Sequence, residues 1–222
     1  MKRTVFVVLV GVLGTAVLLW LGNWQMNRLV WKQGILTQID ARMKASPVLL
    51  PTELSEAEDK YLPVTATGVI WEPYLRVLTS RQNIGAGYRI ISVLDIDGRR
   101  VLLDRGFILQ EDAVAPADME PVTVVGNVHW PDETDGFTPE PDVDNNIWFA
   151  RDVETMSQAL QTEPVMIIAS RIEPSDPNIL QMPIDTSAIS NNHFNYAMTW
   201  FSLAGIWVLM SGFFVWRTRK QG

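Results

Sequence analysis

The 222-residue chain contains no cysteine and only two histidines, His129 and His193. Without cysteine there is no disulfide framework, no thiolate metal site and no redox-active thiol, so the compartment must be read from other signals. Two histidines argue against a multi-histidine metal site or a Ser-His-Asp triad within one subunit. The chain also lacks a Gly-x-Ser-x-Gly elbow, a His-Glu-x-x-His pair and a phosphate-binding Gly-Lys-Thr loop. Gly85-Ala86-Gly87 reads as a turn, because no helical pattern follows it. Copper delivery would call for Cys or clustered Met and His, and the nine Met are scattered. Carboxylates are plentiful, but no pair is singled out for acid/base work.

Acidic residues are missing from both ends. All 25 lie between Asp40 and Asp185, whereas Lys2, Arg3, Arg217, Arg219 and Lys220 sit at the termini. The remaining 13 basic residues against 25 acidic ones give the middle a charge of −12. An acidic middle excludes nucleic acid as the expected partner. The length suits one sizeable domain with small additions.

What the chain does have is two long apolar runs. Thr4 to Asn27 carries no charge, and a helix of that length crosses a bilayer at about 1.5 Å per residue. A second uncharged stretch runs from Thr186, and its apolar part, Tyr196 to Trp216, ends against Arg217, Arg219 and Lys220. Basic flanks stay in the cytoplasm, so both termini are expected inside and the acidic middle outside. Trp20, Trp24, Tyr196 and Trp200 would form an outer aromatic belt. Lys2-Arg3 before an apolar run is also how a cleaved signal begins, but Leu21-Gly22-Asn23-Trp24 offers no small-x-small cleavage site. No Arg- and Ser-rich leader precedes the first span, so a bacterial inner (plasma) membrane is the expected home.

The expected organisation is a transmembrane helix over 4–27 continuing as an amphipathic stalk to about 45, an extracytoplasmic domain over 46–190, and a second transmembrane helix over 194–216. Trp31, Ile35, Ile39 and Met43 mark the stalk. Strands are predicted at Val64–Ile70, Arg89–Ile96, Arg99–Phe107, Val122–Trp130 and Val165–Ile172. The two central ones form a hairpin about Asp97-Gly98. Pro51 to Lys60 reads as a loop, and Asp152 caps a short helix through Leu160. The fold class is therefore two membrane helices, both termini inside, flanking one mainly antiparallel β (α+β) domain of about five to seven strands. Gly11-x-x-Gly14 permits close helix approach.

The candidate site lies at the outer membrane boundary. Asn191-Asn192-His193-Phe194-Asn195-Tyr196 opens the second span, and His193, Tyr196, Ala197 and Trp200 share a helical face. Thr4 to Arg28 and Arg217 back to His193 are both 24 residues, which puts Arg28 and His193 at similar depth. A neutral imidazole can ligate haem iron, a guanidinium can pair with a propionate, and Trp24, Tyr196 and Trp200 can supply ring contacts. The same residues also suit a helix cap or headgroup contact at His193 and a simple bilayer-exit marker at Arg28. Spacing alone leaves both readings open.

Four segments together resemble the Surfeit-locus-1 family: Gly22-Asn23-Trp24-Gln25-Met26-Asn27-Arg28-Leu29-Val30-Trp31-Lys32, Leu103-Asp104-Arg105-Gly106-Phe107, Ile147-Trp148-Phe149-Ala150-Arg151-Asp152 and Asn191-Asn192-His193-Phe194-Asn195-Tyr196-Ala197-Met198-Thr199-Trp200-Phe201. Their order and their placement at both spans carry the match. The family often has Asn where this chain has Asp104, a near-isosteric change that adds an anion. The resemblance implies an assembly factor, not an enzyme, serving the haem-containing catalytic subunit of haem-copper oxidases, with haem a bound in bacterial members. It implies His193 as axial ligand to the haem iron and gives importance to Trp24, Gln25, Arg28, Arg105, Gly106, Trp148, Arg151, Asp152, Tyr196 and Trp200. For Arg105-Gly106 and Arg151-Asp152 a strand-end glycine and a capping aspartate already explain half of each motif. Implied partners are the oxidase catalytic subunit, haem a synthase and the lipid bilayer. The competing expectations are a scaffold that stabilises an oxidase intermediate without touching haem, and an extracytoplasmic sensor. The short ends before Thr4 and after Trp216 disfavour the sensor.

Overall fold

In the computed structural model, residues 2–116, 119–186, 189 and 191–220 are described; parts of the expected 46–190 domain, at 117–118, 187–188 and 190, lie outside them. The chain divides into two compact units, one of Met1–Gln38 with Thr186–Gly222, the other of Ile39–Asp185.

The first unit is a helix pair. Helix α1 spans Lys2–Met43, and a second long helix spans His193–Lys220. Both are long and apolar enough to cross a membrane. On α1, Gly11, Thr15, Leu18, Gly22, Gln25 and Leu29 alternate by four and three residues, and all are buried or half-buried. The partner stripe is His193, Ala197, Trp200 and Ala204, with the same spacing. That is the narrow seam of a two-helix coil, here antiparallel. Small residues on α1 admit large ones opposite. A Cβ on Gly14 would lie 2.4 Å from Nε1 of Trp207, and one on Gly22 would lie 2.5 Å from the Phe201 ring. The Trp207 indole N–H also donates to the Gly11 carbonyl at 3.1 Å. The Gly11-x-x-Gly14 pair thus serves the approach of α1 to its neighbour within the chain.

The second unit is built on a six-stranded mixed sheet: β1 (Val48–Leu49), β2 (Pro63–Arg81), β3 (Gly85–Ile96), β4 (Arg99–Leu109), β5 (Pro121–His129) and β6 (Glu163–Glu173). The strand order β1-β2-β3-β4-β6-β5, with β2 also pairing β5, closes the last five strands into a barrel. Closure depends on the length of β2, whose first half pairs β5 and whose second half pairs β3. The sequence shows only that first half, because Glu72-Pro73 breaks the β-branched run that marks a strand. The mainly antiparallel expectation becomes a mixed sheet, since β4 pairs β6 and β1 pairs β2 in parallel. A parallel β4–β6 pair needs a crossover, and β5 and a helix supply it.

Asp97-Gly98 forms the expected two-residue turn, both at positive φ. Gly85 lies at the edge of the preceding turn and Gly87 lies within β3, so that glycine pair belongs to a hairpin. The predicted loop before β2 holds a four-residue helix, α2 (Glu56–Asp59), capped by Ser55. Helix α3 (Val153–Leu160) begins where expected: Asp152 accepts from the N–H groups of Glu154 and Thr155, a cap worth about 1 kcal/mol. The long helix His193–Lys220 is α4.

Both faces of β4 and β6 are buried, which explains their unbroken apolar runs. Val101, Leu103, Val165, Ile167 and Ala169 point into the barrel. Leu102, Met166 and Ile168 point outward under Trp148, Val153, Met156 and Leu160. Each such fully buried aliphatic side chain contributes roughly 1.5–3 kcal/mol.

Candidate functional site

The helix pair brings together two of the boundary residues. His193 is the first residue of α4, and its Nδ1 lies 2.8 Å from Oε1 of Gln25 on α1. Gln25 reaches it because it occupies the seam, three residues after Gly22 and four before Leu29. A polar side chain at a seam position is a signal in the sequence itself, and counting residues from the inner boundary misses it. That count sets Arg28 level with His193. The structure sets Gln25 there and Arg28 three residues further along α1, about 4.5 Å by helical rise. The register follows the small-to-large pairs Gly14–Trp207 and Gly22–Phe201, which equal counting ignores.

Arg28 is exposed, and its guanidinium stacks on the Trp31 ring at 3.9 Å. Trp24 is four residues earlier on the same face and is also exposed. Trp200 is half-buried on the seam, but Tyr196 is 57% exposed. Tyr196 therefore leaves the face that the sequence assigns it with His193 and Ala197, because three residues fall about 60° short of a full turn.

The two middle motifs converge elsewhere, in the barrel. The pairing of β3 with β4 slips by one residue after Ile91↔Asp104, and Ile90 pairs Gly106, so Arg105 is the bulged residue. Asp104 is wholly buried, with 0% of its side chain exposed. Its Oδ2 accepts from Arg89 Nε at 2.8 Å and from Arg151 Nη1 at 3.0 Å, and its Oδ1 accepts from the Gly106 N–H at 3.1 Å. Arg151 also grips Glu133 through Nε, Nη2 and its backbone N–H. Burial works against charge on both groups, yet their mutual hydrogen bonds outweigh it, helped by the charge of Asp104 in raising the Arg151 pKa and by the charges of Arg151 and Arg89 in lowering that of Glu133. Arg105 pairs Asp176 at 3.2 Å, and its pKa is lowered by burial. Trp148 is a core residue, bonded through its backbone to Arg76 and Leu78 of β2. These motifs thus tie strands, bulge and α3 together. Arg89 and Glu133, the remaining members, are invisible to motif reading because only the bulge and the loop before Trp148 bring them in.

His129 ends β5, stacked on Tyr61 at 5.0 Å, with a buried Nδ1 that has no hydrogen-bond partner among the described residues. Burial, then the charges of Lys60 and Arg151, push its pKa down to about 4. The folded state therefore binds this proton less readily than the unfolded chain, and its contribution is complete above about pH 6.5 and is lost as pH falls towards 4. The ring is partly exposed, so the loss is set at about 1 kcal/mol after solvent screening. Thermal unfolding of the detergent-solubilised protein between pH 7 and 4 is expected to show a smaller drop in midpoint for His129→Phe than for wild type. Parallel slopes would remove His129 from the acid response.

Two apolar helices joined along a tight seam, and a closed mixed-sheet barrel between them in sequence, define a membrane protein that carries one folded barrel domain. The chain belongs to the SURF1 family, whose model matches residues 12–205 and so encloses all four motifs. It is similar to a SURF1-like protein of Rickettsia felis, 29% identical over 203 residues that cover 85% of this chain and 87% of that protein. Surfeit locus protein 1 of Homo sapiens is 27% identical over 212 residues, covering 83% and 69% respectively. A SURF1-like protein of Rickettsia bellii is 26% identical over 208 residues, covering 87% and 84%.

Proposed function

We propose that this protein is a non-enzymatic assembly factor for haem-copper oxidases that binds haem a through His193 and helps place it in the catalytic subunit. The observation that carries this reading is the His193–Gln25 contact: an imidazole at the end of the seam is held from the opposite helix by one nitrogen. A ligating histidine is commonly oriented in this way, by a hydrogen bond from its other ring nitrogen. The donor set fits the group. Exposed Arg28 is available to a propionate, while Trp24, Tyr196 and Trp200 offer aromatic surface near the same helix ends. Bound haem would supply an iron able to accept an imidazole nitrogen, and His193 is the residue that would hold it. A single protein ligand suits a carrier that must release its cargo.

The basic residues beyond both spans support an arrangement with both termini in the cytoplasm and the barrel on the periplasmic side of a bacterial inner membrane. The acidic domain would there meet the oxidase catalytic subunit, and haem a synthase is the candidate donor. The test is the visible spectrum of protein purified in mild detergent from cells that make haem a. Wild type is expected to carry a stoichiometric haem a band and His193→Ala to lose it. If both are colourless while a deletion strain still fails to mature its oxidase, the protein is a scaffold and the haem reading falls.

A further inference from the structure

We infer that Gln25 is a positioning residue for the haem ligand: its amide oxygen holds His193 in the Nδ1–H tautomer and thereby presents Nε2 to the iron. This rests on the reading of His193 given above. The geometry is direct, with Oε1 of Gln25 2.8 Å from Nδ1 of His193. An amide oxygen only accepts, so the proton of a neutral imidazole must sit on Nδ1, and the lone pair is left on Nε2. Gln25 is itself half-buried on the seam between Gly22 and Leu29, so its side chain is confined by packing. The ring is held from α1 while its backbone belongs to α4, and one hydrogen bond thus fixes both tautomer and ring orientation.

The chemistry of the acceptor also matters. A carboxylate at this place would pull the Nδ1 proton, raise the basicity of Nε2 and bind ferric iron more firmly. A neutral amide orients the ring without adding that electron density, which suits a site that must give its cofactor up. Gln25 therefore tunes the site for release as well as for binding.

The test uses the full-length protein in nanodiscs and has two readouts. The first needs no haem: the 15N shifts of ring-labelled His193 in the apo protein are expected to show Nδ1–H in wild type and a shift towards Nε2–H in Gln25→Leu. Nε2–H in wild type would overturn the inference whatever the haem does. The second is titration with haem a. Gln25→Leu is expected to weaken binding by about 10- to 100-fold, while Gln25→Glu, which keeps size and the acceptor, is expected to bind ferric haem more tightly and lower its reduction potential. Because the two variants move affinity in opposite directions, misfolding of one cannot mimic the result. If wild type binds haem a and both variants match it in affinity and potential, the inference alone fails. If wild type has the Nδ1–H tautomer but binds no haem, the haem reading fails and takes the ligand-positioning role with it.

Discussion

Replacing Arg151 with leucine is expected to destabilise the barrel by about 3–5 kcal/mol, the range for removing one partner of a buried ion pair. The size comes from what remains. Asp104 has no exposed side-chain surface and takes two guanidinium donors on a single oxygen, so losing one leaves a buried carboxylate half compensated. Glu133 is 39% exposed and can rehydrate, so its share of the loss is small. Asp104→Asn keeps a carbonyl for the Gly106 N–H but sets its NH2 against the N–H donors of Arg89 and Arg151, leaving two near-buried cations without their acceptor, so it should cost a similar amount, about 3–5 kcal/mol. Hydrogen exchange by mass spectrometry of the detergent-solubilised protein reads the effect locally. Peptides from β3, β4 and β6 are expected to lose about two to three decades of protection in Arg151→Leu. A loss under tenfold would mean that Arg151 is held for a partner and not for the fold.

That network shows where sequence reading succeeds and where it stops. The Asp97-Gly98 hairpin is legible because turn chemistry is local: two positive-φ positions leave few alternatives. The Asp152 cap is legible for the same reason, an aspartate standing just before an amphipathic run. The Asp104–Arg151 pair joins residues 47 apart and depends on the one-residue slip at Arg105, which no local pattern announces. The second half of β2 is obscured by a proline, although its irregularity between Trp71 and Leu75 is what accommodates that proline. At the helix pair, the place of His193 at the start of the second span is legible in the sequence. Its partner follows only from packing, because Gln25 is selected by the register of Gly14 on Trp207 and Gly22 on Phe201. Arg28, chosen by counting, lies three residues further along α1 for that same reason.

The second large effect should come from Gly106, where backbone geometry and space can be separated by experiment. Its φ of +118° lies beyond the left-handed region that asparagine tolerates, and a Cβ there would stand 2.2 Å from the Leu180 carbonyl oxygen. That oxygen cannot retreat cheaply. It accepts from the Phe107 N–H at 2.8 Å, and the Leu180 N–H returns a bond to the Phe107 carbonyl at 2.8 Å, so moving it breaks the bridge that closes this edge. Gly106→Ala should therefore cost about 3–5 kcal/mol, combining dihedral strain with the loss of one or two buried hydrogen bonds. Gly85 supplies the control. Its φ of +129° is nearly the same, but a Cβ there meets nothing within 4 Å, so Gly85→Ala should show the dihedral strain alone, about 1–3 kcal/mol. The difference between the two variants, read as thermal or urea midpoints under one set of conditions, isolates the collision with Leu180. Equal losses would mean that the Leu180 segment yields freely and that the Arg-Gly motif owes its glycine to conformation only. A clear excess at Gly106 would explain why this glycine directly follows the bulged Arg105: the same bulge that turns Arg105 to Asp176 and Asp104 to Arg151 brings the chain too close to the Leu180 backbone for any side chain to fit.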